Sequence, residues 1–338
     1  MGDAGRALYY EDPLLDTCSA LVLSSEEGGR LLELDRTLFF PEGGGQPCDL
    51  GTIDGLSLEA VQDEGGRVLH RLREPSDLAT GSRVELVLDR PRRMDHAAQH
   101  SAQHLLSGLF WNRGGVQTRS FHLGVDHSTI DLDMPVPNET VLDEVEARAN
   151  AMIAEGPPYV VHRCPPEDPA KLDLRKPPPE GIGEIRIVEI AGLDFSPCCG
   201  THVANARELR IVKILETERY KGLTRLSFVA GGRAVRRLAR VYASARSASK
   251  VLSAPIEDLA PEALRLVKRV RDNAASPRDL LRALVSLGID RAREGGLGFV
   301  PLELPGPGAD TADEGIRGLS ERGLAGLIVV REALTVAV

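Results

Sequence analysis

Three histidines, His96, His100 and His104, recur at four-residue steps in the stretch Arg92-Arg93-Met94-Asp95-His96-Ala97-Ala98-Gln99-His100-Ser101-Ala102-Gln103-His104-Leu105-Leu106. Residues four apart on an α-helix stand above one another on one face, so two such imidazoles can grip one metal ion from a rigid platform. Pro91 opens the element, Ala98, Ala102, Leu105, Leu106 and Leu109 recur at helical spacing, and Gly114-Gly115 closes it, which predicts a helix over 95–110. Far downstream, Cys198-Cys199-Gly200-Thr201-His202 repeats the three-residue gap with a thiol and an imidazole. Zinc takes Cys and His in tetrahedral geometry. A lone His-x-x-x-His arises by chance, whereas its combination with Cys-x-x-x-His needs two independent coincidences. The strongest set is His100, His104, Cys198 and His202. Residue types alone leave His96/His100 open against His100/His104, and Cys199 open against Cys198.

At 338 residues the chain is comfortable for two or three domains. No apolar run approaches a bilayer span, and Met1 to Asp16 has no apolar core of a secretory signal. The five cysteines (Cys18, Cys48, Cys164, Cys198, Cys199) are odd in number and irregular in spacing. That argues against a disulfide framework and for a reducing compartment with one metal site, so the cytoplasm is the expected location. The net charge of −9 speaks against nucleic acid until its distribution is read. From Arg219 to Ile256 there is no acidic residue, while Arg219, Lys221, Arg225, Arg233, Arg236, Arg237, Arg240, Arg246 and Lys250 all fall there. A one-sign block in an acidic chain is either a solvated helix face or the footprint of an anionic partner.

The expected fold class is α+β, in four parts. Residues 1–90 carry short apolar runs, such as Val84-Glu85-Leu86-Val87-Leu88, between turn signals, and read as a β-barrel-like domain. Within it, Gly43-Gly44-Gly45-Gln46 between Pro41 and Pro47 reads as a shaped loop, because three glycines weaken a strand and allow close backbone approach. Residues 91–231 read as helix, two strands within 121–132, a helix over 141–153 behind Asn138, a Pro-rich loop (Pro165 to Pro179), a strand over 185–190, and two more over 209–215 and 224–229. Residues 232–290 read as a helical linker broken near Pro255, Pro261 and Pro277. Residues 291–338 read as a small α/β module with a loop at Pro305-Gly306-Pro307-Gly308; its last strand, Leu334 to Val338, has nothing after it, as in a truncated module.

Three motifs in this order, Phe-Phe-Pro-Glu-Gly-Gly-Gly-Gln (39–46), His-Ser-Ala-Gln-His-Leu-Leu (100–106) and Cys-Cys-Gly-Thr-His-Val (198–203), resemble the alanyl-tRNA editing proteins, or AlaX proteins. These are free-standing relatives of the editing domain of alanyl-tRNA synthetase. The doubled cysteine and Arg-Arg-Met-Asp-His (92–96) are most similar to the longer branch, and the resemblance covers about 20–235. It implies trans-editing: hydrolysis of the ester in mischarged tRNA(Ala), chiefly Ser-tRNA(Ala) and also Gly-tRNA(Ala), with one Zn2+ per chain held by His100, His104, Cys198 and His202. It further implies that Gly43, Gly44, Gly45 and Gln46 line the pocket and that Thr37 matches a position tied to recognising the serine hydroxyl. Gln103 departs from the Thr common before the second histidine in synthetase domains, and bears on amino-acid specificity. The basic stretch, with Arg233, Arg236, Arg237 and Arg240, would then contact tRNA phosphates.

An aminoacyl ester is already activated, so water needs positioning and polarisation rather than a covalent nucleophile. Asp95 and Glu42 are candidate acid–base groups, though charged residues at turns and caps are more often structural. The rival readings are threonyl-tRNA-type editing, a tRNA-binding module with a structural zinc, and a hydrolase of free small esters.

Overall fold

The computed structural model describes residues 6–164, 174–177, 184–274, 276–296, 300–304, 308–330 and 335–337. Most of the expected Pro-rich loop, and the expected turn at Pro305 to Pro307, lie outside these residues. So do Leu334 and Val338 of the expected final strand. The chain forms two compact units, one reaching to Arg240 and the other beginning at Val241.

The first unit opens with β1 (Arg6–Ala7) and the short helix α1 (Leu8–Glu11), then β2 (Thr17–Glu26), β3 (Leu31–Leu34), β4 (Arg36–Thr37), β5 (Gly51–Ile53), β6 (Leu56–Glu64), β7 (Arg67–Leu72) and β8 (Arg83–Leu88). β1 and β4 pair in parallel, and the other six strands close in the ring order β2-β3-β7-β6-β5-β8. The two-residue period decides which side chains face inward. In β8, Val84, Leu86 and Leu88 are buried while Arg83, Glu85 and Val87 face out. The inward set joins Val22, Leu32, Phe39, Ile53, Val61 and Leu72 in one apolar core.

Helix α2 (Arg90–Gly114) follows directly. The Asp89 carboxylate accepts from the Arg92 backbone N–H at 3.1 Å, and Pro91 sits in the first turn, where a missing N–H costs nothing. Gly115 closes the helix in the left-handed region. The helix is longer at both ends than its apolar spacing alone predicts. β9 (Thr118–Leu123), β10 (Ser128–Leu132) and α3 (Glu139–Glu155) come next, with Asn138 capping α3 by accepting from Val141 N–H at 3.0 Å. Then follow β11 (Tyr159–Cys164), β12 (Ile185–Ile190), β13 (Asp194–Pro197), β14 (Val212–Tyr220) and β15 (Leu223–Ala230). Two antiparallel sheets result, β14-β15-β10-β9 and β11-β12-β13. β14 begins at Val212 and not at the expected residue 209, because Leu209 closes a 3-10 turn (Ala206–Leu209) that Asn205 and Glu208 hold with a reciprocal capping box.

A buried ion pair ties the barrel to α2. Arg93 donates through Nε to Asp49 Oδ2 at 2.8 Å and through Nη2 to the Leu38 carbonyl at 2.7 Å. The Phe40 N–H donates to the same carboxylate oxygen at 2.6 Å. The Arg93 and Asp49 side chains are 2% and 0% exposed.

Helix α4 (Gly231–Leu252) crosses the division between the units. The second unit continues with α5 (Leu259–Ala274), α6 (Ser276–Glu294), β16 (Val300–Leu304), α7 (Gly308–Ser320), β17 (Gly326–Val330) and β18 (Thr335–Ala337). Pro261 does not break a helix as expected. It lies in the first turn of α5, where a proline ring is tolerated. β16 and β17 pair in parallel across α7, and β18 adds antiparallel. Residues of α6, expected in the linker, contribute Val285, Ile289 and Ala292 to the same core as Leu302, Ala312, Leu319 and Ile328.

Candidate metal centre

The two histidines on successive turns of α2 meet the loop that follows β13. Ring centroids of His100 and His104 are 5.4 Å apart, and the His202 ring lies 4.5 Å from the first and 4.8 Å from the second. Cys198 Sγ is 3.3 Å from Nε2 of both His100 and His202. One ligand atom each from His100, His104, Cys198 and His202 lies within 4.8 Å of all the others. A tetrahedral ion with bonds of about 2.0–2.3 Å spaces its ligand atoms roughly 3.3–3.8 Å apart, so the four groups could hold a metal ion with small adjustments. His96 is buried one turn earlier and Cys199 is exposed, and both stand outside the group.

Each imidazole is approached from behind through Nδ1. Gln46 Oε1 is 2.8 Å from His100 Nδ1, Ser101 Oγ is 3.3 Å from His202 Nδ1, and Asp194 Oδ2 is 3.4 Å from His104 Nδ1. The last is an ion-pair separation too long for a good hydrogen bond. Partners on Nδ1 turn Nε2 toward the centre, which is how ligating imidazoles are oriented. Gln46 also donates to Thr201 Oγ1 at 2.8 Å and accepts from the Thr201 N–H at 3.1 Å, fastening the Cys198–His202 loop to α2. Asp194 is fixed by Arg175, whose Nε donates to Oδ1 at 2.7 Å. A Cβ on Gly200 would stand 2.2 Å from His100 Cε1, so only glycine lets the loop come this close.

Electrostatics favours the metal-binding forms of Cys198 and His202, whereas at His104 the neighbouring Cys198 and Asp194 outweigh burial and push the imidazole up. Burial pushes the Cys198 thiol up, but the surrounding His100, His202 and His104 outweigh it and hold the thiol well below its ordinary range. Burial pushes His202 down to about 3. A thiolate and neutral imidazoles are the forms that bind metal.

A cavity of ≈ 580 Å³ opens beside this centre, within the size range of small-molecule sites. His100, His104, Cys198, Gly44, Gln103, Thr118, Phe121 and Arg186 are among its walls. Gln103, 6% exposed, donates through Nε2 to Ser107 Oγ at 2.9 Å, and Thr118 Oγ1 donates to the same oxygen at 2.7 Å. Gly44 and Gly45 are the centre of a tight hairpin with φ of +60° and +83°, closed by mutual hydrogen bonds between Gly43 and Gln46. A Cβ on Gly45 would lie 2.5 Å from the Phe121 carbonyl, which locks the hairpin against β9.

Several expected site residues sit elsewhere. Thr37 is 1% exposed in the barrel, its oxygen bonded to His70 Nε2 at 2.8 Å and to the Phe39 N–H at 3.0 Å, and it is not part of the cavity wall. Gln46 is fully buried behind His100 and so positions the imidazole instead of facing the cavity. Gly43 and Gly45 are exposed and stand outside the wall. Arg233 is 7% exposed, with Nε on Asp95 at 2.8 Å and Nη1 on the Gly124 carbonyl at 2.5 Å, so its cation is turned inward. Arg236, Arg237 and Arg240 are exposed on α4. Asp95 is engaged by Arg233 and Glu42 is exposed, and neither lines the cavity. The sequence reading missed Tyr10, Arg175, Arg186 and Asp194, which reach the site from segments without a metal-ligand or glycine signature.

Residues 185–227, from β12 through most of β15, match the family described as the threonyl and alanyl tRNA synthetase second additional domain. The match makes this segment, with Cys198 and His202 in it, a synthetase-type second additional domain. The chain is 34% identical over 286 residues to "Alanyl-tRNA editing protein Aarsd1" of Danio rerio, covering 82% of this chain and 69% of that protein. It is 33% identical over 241 residues to "Alanyl-tRNA editing protein AlaX-L" of Pyrococcus horikoshii, covering 68% and 59%. It is 34% identical over 283 residues to "Alanine--tRNA ligase" of Methanothrix thermoacetophila, covering 78% of this chain and 30% of the ligase. The chain belongs to the alanyl-tRNA editing protein family. It spans 61% of the length of the Mus musculus Aarsd1 protein. No described helix is long and apolar enough to cross a membrane.

Proposed function

We propose that this chain is an aminoacyl-tRNA deacylase that edits mischarged tRNA(Ala) in trans, with Ser-tRNA(Ala) as chief substrate and Gly-tRNA(Ala) as the second. The observation that carries this reading is the His100, His104, Cys198 and His202 group, three of whose members (His100, His104 and Cys198) line one cavity, in a chain of this family. The group would hold one Zn2+, whose preference for imidazole and thiolate it matches. Bound there, the ion supplies a Lewis acid beside the ester. The cavity takes the terminal aminoacyl-adenosine. Gln103, anchored through its Nε2 on Ser107, keeps its amide oxygen to accept the seryl hydroxyl. A site built to bond that hydroxyl leaves its own polar groups unpaired with an alanyl ester and so disfavours it, and the glycyl ester, which lacks the hydroxyl too, ranks behind the seryl one. Arg236, Arg237 and Arg240 contact tRNA phosphates from α4, and the protein works in the cytoplasm on a tRNA partner.

The test is deacylation of seryl- and glycyl-tRNA(Ala) with alanyl-tRNA(Ala) as control. Fast loss of the seryl ester, with alanyl spared, is expected. Neutralising Arg236, Arg237 and Arg240 together should flatten the salt dependence of tRNA binding by roughly 0.9 in log–log slope per phosphate contact removed. An unchanged slope would return α4 to a solvated face. A second reading, a tRNA-binding module with a structural metal, draws on the four protein ligands, since catalytic zinc sites usually keep one position open. It predicts binding without deacylation of any mischarged tRNA.

The environment behind the ligands also makes a prediction. Asp194→Asn leaves His104 without its carboxylate partner, and should weaken zinc binding about 10- to 100-fold in chelator competition. Unchanged affinity would mean that this contact does not orient the ligand.

A further inference from the structure

The cavity wall opposite the glycine hairpin carries a cation for which the metal centre has no use. Arg186, the second residue of β12, lines the cavity and donates through Nη1 to the Cys198 carbonyl at 2.7 Å. Its Nε is buried and has no hydrogen-bond partner among the described residues. None of the described carboxylates forms an ion pair with it, and the negative charge that acts on it most is the Cys198 thiolate. The other two arginines nearest in the wall are compensated: Arg175 by Asp194 at 2.7 Å, and Arg163 by Glu184 at 3.9 Å. The thiolate is the charge that a metal at the centre would take up, and a partly buried guanidinium that then faces no carboxylate is suited to an anion that arrives.

The guanidinium is also held in place. The Tyr10 ring of α1 lies against it with 5.0 Å from Cζ to the ring centroid, and the Tyr10 hydroxyl is itself tied to the Cys199 carbonyl at 2.6 Å. With Nη1 engaged and one face near the ring, the edge left unpartnered among the described residues is the Nε/Nη2 fork, whose spacing matches two oxygens of a phosphate. Lys176 adds a second cation to the same wall.

We propose that the Nε/Nη2 edge of Arg186 binds the phosphodiester on the 5′ side of the terminal adenosine. This rests on the deacylase reading above. It assigns the wall a specificity: the cavity distinguishes an aminoacyl-adenosine at the end of a polynucleotide from the same ester on a free nucleoside. Arg186 is a substrate-binding residue in this proposal, and Tyr10 a positioning residue that sets the plane of the fork.

The experiment compares binding of two non-hydrolysable probes, 3′-seryl-amino-adenosine with and without a 5′-phosphate, to zinc-loaded wild type, Arg186→Gln and Arg186→Lys. Wild type should prefer the phosphorylated probe by about 10- to 100-fold. Arg186→Gln should lose most of that preference, its affinity falling far more for the phosphorylated probe than for the unphosphorylated one, and Arg186→Lys should fall between. Zinc content is measured for every variant, since Arg186 also supports the Cys198 loop. No preference in wild type, or equal weakening of both probes in a zinc-replete Arg186→Lys, overturns the proposal. If wild type deacylates seryl-tRNA(Ala) yet ignores the 5′-phosphate, only the role of Arg186 fails. If it deacylates no mischarged tRNA and binds neither probe, both readings fall.

Discussion

Cys198→Ala should abolish stoichiometric zinc binding and lower deacylation of Ser-tRNA(Ala) by at least about 100-fold, more than any change behind the ligands. The reason is geometric as well as chemical. Cys198 is the one thiol in the group, 3.3 Å from two of the three imidazoles, and its thiolate is the charge that makes three neutral histidines a strong site for a divalent ion. Metal content by mass spectrometry and single-turnover hydrolysis check this together. Loss of zinc with hydrolysis intact would detach the chemistry from the centre and leave the cavity walls to account for it. The His96→Ala variant is the matched control. Lying outside the group, it should keep its metal.

Arg93→Met should cost about 3–5 kcal/mol of stability, because it strands the Asp49 carboxylate in a dry site. For a unit of this size that is a fall in Tm of about 6–20 °C. The damage should reach the metal centre. Asp49 binds the Phe40 N–H, and the glycine hairpin that supplies Gln46 begins three residues later. Adding Asp49→Asn to Arg93→Met should recover part of the loss, since it removes the unpaired charge while keeping an acceptor for Phe40. Thermal melts of the two variants decide it, and a single variant as stable as wild type would show that water reaches the pair.

The His/Cys group that could hold a metal was legible in the sequence because metal chemistry limits residue types and a helix limits their spacing. His100 and His104 could be read from a four-residue step, and Cys198 and His202 from the repeated gap. Which of the neighbouring His and Cys residues took part depended on the approach of one loop, and that is decided by contacts such as Gly200 against His100. The residues behind the ligands were harder to find. Asp194 and Arg175 are common residue types in an unremarkable context, and their roles come from where β13 and a loop pass α2. Gln46 and Thr37 show the opposite error. Both flank a glycine motif that points to a pocket, yet tertiary packing turned both side chains inward, one onto His100 and the other onto His70. Arg233 belongs with them: a charge block says nothing about which of its members face a carboxylate such as Asp95. Secondary structure was clearest where caps coincided with periodicity, as at Asp89 and Asn138, and weaker at the start of β14, where a capped 3-10 turn ending at Leu209 delays the strand to Val212.

The four ligands come from two places far apart along the chain, two on α2 and two beyond β13. During synthesis at about 5–20 residues per second, the first two histidines are made on the order of 5–20 seconds before His202. In that interval the nascent helix can offer only a pair of imidazoles, a weak and unselective grip on divalent ions. The thiolate and last imidazole arrive together on one short loop, so selection among metals would be deferred until the β11-β12-β13 sheet has been translated. Occupancy of the centre is thus a late event in the life of the polypeptide, set by the ions available when the loop closes over the helix.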